Sequence, residues 1–357
     1  MLTSFLIYTC IFVIISLFFG LINKTDNKLG LTIVLMSSIL LAIFASIREG
    51  VGTDFYAYRD IFYYVNNHFS TDMIFSFYQE PFNVILYRVG FIVFSSEKGM
   101  YFIYSFLTTF FVFITIYKFK NSINVRLSVF MFLSMFYLVS FNGMRQMLAV
   151  SILLYGFTKL HNKKHFIFII ICIISSLVHK SAMFMILLLP YVLIFQKSTI
   201  KQSLVRITAM TIVIVPIVSL ISPTISNYLG VYESYFDSQG QSNVLFLLYI
   251  IPTILLYIII NYSSNKDDNS FIISDLFFKL YLLTIPFQFL GYFYAYFDRF
   301  SMYTSLTQII ALPALLRTIK LKETRLFLTV LVYSWSLFYH IIMFLLLKSN
   351  GVYPFYT

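Results

Sequence analysis

Residues 48–60 read Arg48-Glu-Gly-Val-Gly-Thr-Asp-Phe-Tyr-Ala-Tyr-Arg-Asp60 and directly follow a long apolar run. Acidic and basic side chains stand close together here, beside a Gly-Val-Gly turn whose glycines tolerate positive φ. Charged groups next to an apolar segment are costly in lipid and commonly mark functional sites. A single arginine could instead extend its charged end from a helix terminus to the membrane surface. The cluster of charges with its glycines favours a functional loop.

The composition of the whole chain indicates a membrane protein. Its 357 residues are 60% hydrophobic and 11% charged, whereas soluble domains are about 45–50% apolar and about 25% charged. Apolar runs near the length of a membrane-crossing helix recur along the chain, and no polar stretch is long enough for a soluble domain. The sequence therefore predicts an all-α fold, a polytopic transmembrane helical bundle that forms a single domain over residues 1–357, with the external loop 48–80 included.

The charge balance and the cysteines exclude several kinds of partner. The net charge of +11 would suggest nucleic acid in a soluble protein, but the basic residues stand mainly in short loops, where membrane topology explains them. No nucleic-acid partner is expected.

Cys10 and Cys172 fall inside apolar runs, far from a second ligand at metal spacing, so no disulfide, metal or cofactor is expected. The run from Leu2 to Gly20 lacks a basic region before it and a cleavage site after it, which predicts a retained first span.

The alternation of apolar runs and basic loops predicts the order of the helices. The predicted spans lie near residues 3–22, 29–47, 100–117, 127–141, 144–158, 166–178, 182–195, 207–222, 244–262, 271–290, 300–316 and 326–347. Basic loops favour the cytoplasmic side. The loops predicted to be cytoplasmic are 23–28, 118–126, 159–165, 197–206, Lys266 and 317–325. The segments predicted to be external are 48–80, 141–146, 178–182, 223–243, 291–299 and 348–357.

Residues 81–94 do not fit this alternation. An odd number of crossings must separate the external loop 48–80 from the internal loop 118–126, but residues 81–94 and 100–117 would make two crossings. The segment is short for a crossing. It is therefore predicted to be re-entrant or partly buried, or else the first turn is external and the Arg48 loop is cytoplasmic.

Two helices are predicted around the external loop. Apolar residues recur at helical spacing in residues 54–66, which predicts a helix lying along the membrane surface. They are Phe55, Tyr58, Phe62 and Val65. Glu80-Pro81 predicts the start of the next helix, because proline suits a first helical turn.

Three short segments place polar residues on the same predicted side. Arg145 and Gln146 open a helix, so that a guanidinium stands beside free backbone donors, an arrangement suited to phosphate. The alternative is an arginine that reaches the surface from a helix end. His179 stands between two apolar segments, where a lone histidine is more often a hydrogen-bonded helix end. Asp298 and Arg299 begin another span and, as neighbours on a helix, are each expected to pair elsewhere.

Several enzyme classes are disfavoured by missing motifs. The sequence contains no phosphate-binding P-loop, no HExxH zinc motif and no Asp-x-Asp pair of the kind that holds a metal-bound nucleotide sugar. An ATPase or a nucleotide-sugar enzyme is therefore not expected.

The polar motifs follow one another in a distinctive order. They read Arg48-x-x-Val-Gly-Thr-Asp54-Phe-x-x-Tyr58, Glu80-Pro-Phe82, Asn142-x-x-Arg145-Gln146-x-x-Ala149, His179-x-Ser-Ala182, Arg299-Phe-x-x-Tyr303 and Tyr353-Pro-Phe355. This order resembles the EpsG-type, Wzy-like polysaccharide polymerases of bacteria over nearly the whole chain. The first motif and the Arg-Gln pair are the most specific elements. Phe82 departs from the pattern, since glycine often follows Glu-Pro there.

The resemblance implies a glycosyltransferase-type enzyme that polymerises undecaprenyl-diphosphate-linked oligosaccharides into O-antigen or capsule, in the lipid bilayer and at the outer face of the cytoplasmic membrane. A chain-length regulator and a flippase are implied as partners. In this chemistry a sugar hydroxyl attacks an anomeric carbon while polyprenyl diphosphate leaves, so cations must face the phosphates and a base must take a proton. The expected diphosphate ligands are Arg48, Arg145 and Arg299. The candidate bases are Asp54, Glu80 and His179, and the expected substrate contacts are Tyr58, Gln146 and Asp298.

Other functions remain open. A flippase or transporter of the same lipid-linked units would also carry intramembrane charges. The charges are predicted at one face instead of the midplane, however, and no duplicated halves occur in the sequence. A structural assembly protein is less favoured, because it needs no such cluster. Within the enzyme class an O-antigen ligase or an acyltransferase also remains open, and only the motif spacing argues against them.

Overall fold

The computed structural model describes residues 1–76, 80–195, 198–200, 202–211, 248, 250–255, 258–259, 268–293 and 296–355. Every regular element in these ranges is helical, as predicted. The chain forms two compact units, the first made of Met1–Ile186 with Lys322–Thr357 and the second of Leu187–Leu321. The predicted loop 223–243 and Lys266 lie outside the described residues, as do most of the predicted spans near 207–222 and 244–262.

In the part of the chain that the structure describes, the first unit begins with nine helices. They are α1 (Leu2–Phe19), α2 (Asn27–Ser46), α3 (Phe55–Asn67), α4 (Met73–Ser76), α5 (Pro81–Phe94), α6 (Glu97–Lys118), α7 (Val125–Phe132), α8 (Met144–His161) and α9 (His165–Ser176). Two of these helices are extended. A 3₁₀ helix, Gly20–Lys24, follows α1, and a π-helix, Leu133–Tyr137, with a 3₁₀ helix, Leu138–Phe141, follows α7.

The described helices of the second unit follow a 3₁₀ helix, Lys180–Leu187. They include α10 (Leu188–Phe195), α11 (Asn269–Leu282), α12 (Thr284–Phe293), α13 (Tyr296–Ser305) and α14 (Gln308–Arg317). The chain then returns to the first unit through α15 (Lys322–His340), which continues as a π-helix over Ile341–Leu346 and a short turn at Ser349–Gly351.

Five described helices are long and apolar enough to cross a membrane, so the chain is a multi-pass membrane protein. They cover Leu2–Lys24, Asn27–Ser46, Glu97–Lys118, Asn269–Gly291 and Lys322–Leu346. Shorter apolar helices cover Pro81–Phe94, Val125–Phe141, His165–Ser176 and Lys180–Phe195. The first set coincides with the spans predicted near 3–22, 29–47, 100–117, 271–290 and 326–347, and the second includes those near 127–141, 166–178 and 182–195. The predicted span 144–158 forms α8, which belongs to neither set, and the span predicted near 300–316 is divided between α13 and α14.

Helix α3 confirms the predicted amphipathic helix. The inner face carries Phe55, Phe62 and Val65, which are at most 1% exposed. The outer face carries Tyr56 and Tyr64, which are 52% and 53% exposed. This is the pattern of a helix that rests on the bundle with one face.

Helix α5 packs against the beginning of α6 and against α3, where the Phe62 and Tyr87 ring centres are 6.4 Å apart. Near its start, Asn83 Oδ1 accepts a hydrogen bond from Tyr104 at 2.6 Å. Further along, Gly90 approaches α6 so closely that a Cβ there would lie 2.9 Å from the Met100 backbone nitrogen. With 14 residues, α5 is shorter than the ~20 residues of a crossing. A re-entrant course for α5, with α6 as the crossing between loops 48–80 and 118–126, remains a prediction.

The basic turns of the first unit lie together at one end, as the alternation of loops predicts. Tyr117, at the end of α6, donates a hydrogen bond to the side-chain oxygen of Asn27 at 3.2 Å. The Phe119 and His161 rings are 5.6 Å apart. Turns 23–28, 118–126 and 159–165 therefore share this end.

Candidate functional site

The opposite end of the first unit joins three segments that are far apart in the sequence. The first is the motif loop, residues 48–54. Asn142, just before α8, donates to Thr53 Oγ1 at 2.6 Å and accepts from the Asp54 backbone N–H at 3.3 Å. The Gly52 N–H donates to the carbonyl of Gly351 in the C-terminal tail at 3.0 Å. The motif loop is thus held by the start of α8 and by the tail.

Glycine is required where the motif loop meets Asn142. Gly52 has a φ of 108°, a backbone conformation that residues other than glycine rarely adopt. A Cβ at this position would also lie 2.7 Å from Asn142 Oδ1. The Val-Gly-Thr part of the motif therefore has a structural reason, which is the close approach of two backbones.

Arg48 is buried under the motif loop and is only 2% exposed. Its guanidinium carbon lies 4.5 Å from the ring centre of Tyr101 and 4.2 Å from that of Phe141, which are cation–π distances. Its Nη2 donates to the Phe141 carbonyl at 3.2 Å. Burial lowers the pKa of Arg48 to about 10, so the side chain remains charged at neutral pH. Arg48 is placed to hold the turn before α8.

Glu80 is the centre of the polar network. Its Oε2 accepts hydrogen bonds from Arg145 Nη1 at 2.7 Å and from Asn83 Nδ2 at 3.0 Å. Its Oε1 lies 2.9 Å from His179 Nδ1 and accepts from the Lys180 backbone N–H at 3.2 Å. Glu80 itself is 5% exposed. The carboxylate thus joins the start of α5, the first turn of α8 and the segment after α9.

The surroundings of Glu80 keep it ionised. Burial alone would raise its pKa, but the hydrogen bond with His179 and the positive charge of Arg145 oppose this effect, and the net pKa lies below the ordinary value. A buried carboxylate with a cationic partner and several donors is stable as an anion. Glu80 therefore provides a fixed negative charge between Arg145 and His179.

Arg145 connects the network to the surface. Its side chain is 24% exposed, whereas that of Glu80 is 6% exposed. The buried hydroxyl of Tyr58, from α3, is hydrogen-bonded to the Arg145 side chain. Asp54 directly precedes α3, about one helical turn before Tyr58, and its side chain is exposed. A guanidinium, an open carboxylate and a tyrosine thus occur together at the N-terminus of α8, where backbone donors favour anions.

The remaining candidates lie around or apart from this network. Gln146 follows Arg145 in α8 and is 8% exposed. Asp298 and Arg299 lie in the first turn of α13, in the second unit. The Asp298 carboxylate packs directly against Gly291. Roles of Asp298 and Arg299 in substrate binding remain predictions.

Sequence reasoning missed Asn83 and Tyr104. Asn83 Nδ2 contacts both Glu80 and the Val178 carbonyl, the latter at 2.9 Å, and Tyr104 fixes the other end of the same amide. The signal in the sequence was the Glu80-x-x-Asn83 spacing, which places both residues on one side of a first helical turn. Among the described residues, no group of His, Cys, Asp and Glu is arranged to hold a metal ion.

A comparison with known protein families identifies the family of the chain. The model of the EpsG family matches residues 31–357, a range that contains every residue of the network. No curated protein and no solved structure matches the chain. Because the match covers most of its length, the chain belongs to the EpsG family, which is associated with polysaccharide biosynthesis.

Proposed function

We propose that the protein polymerises undecaprenyl-diphosphate-linked oligosaccharide repeat units into O-antigen or capsular polysaccharide. The observation that carries this proposal is the partly exposed Arg145, fixed by buried Glu80 at the N-terminus of α8. A leaving diphosphate develops negative charge, and a preorganised guanidinium beside backbone donors stabilises that charge. Family membership supports the same reaction class.

Within this proposal the residues have different tasks. Arg145 contacts the diphosphate, and Tyr58 and Gln146 line the approach to it. Arg48 is buried, so we assign it the task of holding the turn before α8, through the Phe141 carbonyl. Asp54, Glu80 and His179 are the groups available for proton transfer. From the motif order, Arg299 is proposed as a further diphosphate ligand and Asp298 as a substrate contact.

The position of the basic turns in the first unit supports a site on the external side of the membrane. The basic turns 23–28, 118–126 and 159–165 share one end, and clusters of basic residues favour the cytoplasmic side. The network of Glu80 and Arg145 lies at the opposite end. We therefore propose that this end of the first unit faces the outside of the cytoplasmic membrane, where exported lipid-linked units would be polymerised.

A flippase for the same lipid-linked units is the second candidate, and one observation favours it. Lys279 and Asp275 form an ion pair of 2.6 Å inside the candidate span Asn269–Gly291, and Lys279 is 3% exposed. Intramembrane charges often mark transport pathways. The ion pair lies within one helix, at i and i+4, and this local pairing also explains it.

The accumulated product separates the two functions. With Arg145→Ala, a polymerase leaves lipid that carries a single repeat unit at the cell surface and makes no long chains, because export still works. A flippase with the same change retains the lipid-linked unit on the cytoplasmic side. Arg59→Ala is the matched control, since Arg59 lies on the Tyr56 ring at the outer face of α3, and it should keep normal chain length. Cytoplasmic retention would overturn the polymerase proposal.

A further inference from the structure

The two ring nitrogens of His179 have different surroundings. Nδ1 lies 2.9 Å from Glu80 Oε1. Nε2 is buried, and no hydrogen-bond partner for it occurs among the described residues. Buried polar atoms are nearly always paired, so an exception needs an explanation, which can be a catalytic role.

The partner of Nδ1 defines which nitrogen carries the proton. Glu80 is held as an anion by Arg145 and by the Lys180 backbone N–H, and an ionised carboxylate can only accept hydrogen bonds. Nδ1 must therefore be the donor. In the neutral ring, the proton on Nδ1 leaves a lone pair on Nε2. Carboxylate, imidazole and an available Nε2 are the arrangement by which a general base is oriented in many hydrolases.

From this geometry, and resting on the proposed polymerase function, we propose that His179 is the general base for the acceptor hydroxyl and that Glu80 is its positioning residue. The hydroxyl oxygen forms a bond to the anomeric carbon of the donor, and the bond from that carbon to the diphosphate oxygen breaks. The hydroxyl proton passes to Nε2 of His179. The diphosphate leaves with the bonding electron pair and faces Arg145.

The other two candidate bases fit this task less well. The oxygens of Glu80 already accept hydrogen bonds from Arg145, Asn83 and Lys180 and contact His179. Asp54 is exposed at the end of the motif loop, and its carboxylate accepts a hydrogen bond from the neighbouring Thr53. His179 and Arg145 contact opposite oxygens of one carboxylate, so base and cation are held side by side by the same group.

The decisive experiment is chemical rescue in proteoliposomes that polymerise a purified lipid-linked repeat unit. His179→Ala should lower the rate ~10²–10⁴-fold, the usual contribution of a general base. Added imidazole should restore part of the rate, and among substituted imidazoles the restored rate should rise with basicity. His179→Asn keeps a donor towards Glu80 without a base, so it should be equally slow while its thermal unfolding stays near that of the wild type.

Glu80→Gln tests the positioning role. If Glu80 acts through His179, adding Glu80→Gln to His179→Ala should lower kcat no further, whereas a merely structural role would lower kcat in both backgrounds. The charged groups that face His179 here are Glu80 and, through it, Arg145; Lys180 is next in the chain. His68→Ala, at the exposed end of α3, is the control and should keep normal rates.

Three results would overturn the assignment. If His179→Asn polymerises within about tenfold of the wild type, the ring is not the base. If rescue of His179→Ala is absent or independent of imidazole basicity, the ring acts only in structure. Both results leave the polymerase intact, because the wild-type rate is measured in the same vesicles. A wild type that makes no polymer would instead overturn the proposed function, and this inference with it.

Discussion

Arg145 Nη1 lies 2.7 Å from Glu80 Oε2, so an ion pair joins the first turn of α8 to the start of α5. The carboxylate is buried and the guanidinium is partly exposed. Removing one member of a buried pair commonly costs about 3–5 kcal/mol, because the other charge remains without compensation. The pair therefore positions a cation and stabilises the junction of two helices at once.

Arg145→Lys should lower the polymerisation rate ~10²–10³-fold, equivalent to about 2.7–4 kcal/mol, although the charge is kept. A guanidinium offers a rigid plane of donors that matches phosphate oxygens, whereas an ammonium is a compact, strongly hydrated charge. The rate is measured with the reconstituted variant at matched protein level, beside Arg145→Ala. Near-wild-type activity of the lysine variant would mean that Arg145 takes no part in the reaction. It would then only extend its charge to the membrane surface, which a lysine side chain does equally well.

Arg48→Met should destabilise the protein by about 1–3 kcal/mol, since it leaves the buried Phe141 carbonyl without its donor. The lost cation–π contacts with Tyr101 and Phe141 add to this effect. Thermal unfolding in detergent measures the change. Arg59→Met is the matched control at an exposed site and should stay within about 0.5 kcal/mol. Equal stability of the two variants would contradict the holding role of Arg48.

Gly99→Ala should separate α5 from α6. A Cβ at Gly99 would collide with the Gly90 carbonyl oxygen and with Phe94, and overpacking of this kind typically costs about 1–3 kcal/mol. Gly143→Ala is the control for stability, because the nearest atoms to its Cβ lie at 4.0 Å. We expect a lower unfolding temperature for Gly99→Ala only. A neutral result would show that α5 does not need this close approach.

The stability of the first unit should fall in acid through Glu80. Its folded pKa lies below the ordinary value of 4.5, so its contribution is fully present above that value and is lost as the pH falls through the folded pKa. Unfolding temperatures of the wild type should therefore drop more steeply below pH 4.5 than those of Glu80→Gln, which has no carboxyl to protonate. Parallel curves would exclude a stabilising Glu80 anion.

Asn67→Cys and Ser349→Cys should both react with an impermeant maleimide in intact spheroplasts, in a background without Cys10. Both positions follow segments at the end that carries the motif loop. Asn162→Cys, in a basic turn at the opposite end, should react only after permeabilisation. Protection of Asn67→Cys with labelling of Ser349→Cys would contradict the joint external position of the motif loop and the tail.

The sequence by itself determined the helical class and most helix positions. Hydropathy is a local property, so the spans near residues 3–22, 29–47 and 100–117 could be read directly and occur as α1, α2 and α6. Helical spacing likewise predicted the buried face of α3, and Pro81 predicted the start of α5. Each of these features depends on residues within a few turns of one another.

Only the tertiary structure decided how the polar groups combine. Glu80 is separated from Arg145 by 65 positions and from His179 by 99, and no local pattern indicates that three helix ends place them on one carboxylate. The motif order placed Arg48 among the diphosphate ligands, yet packing buries it between aromatic rings. Only the fold shows that α5 packs against both α3 and α6. Burial and pairing arise from the whole bundle, because a charge in lipid is stable only where distant segments supply its partners.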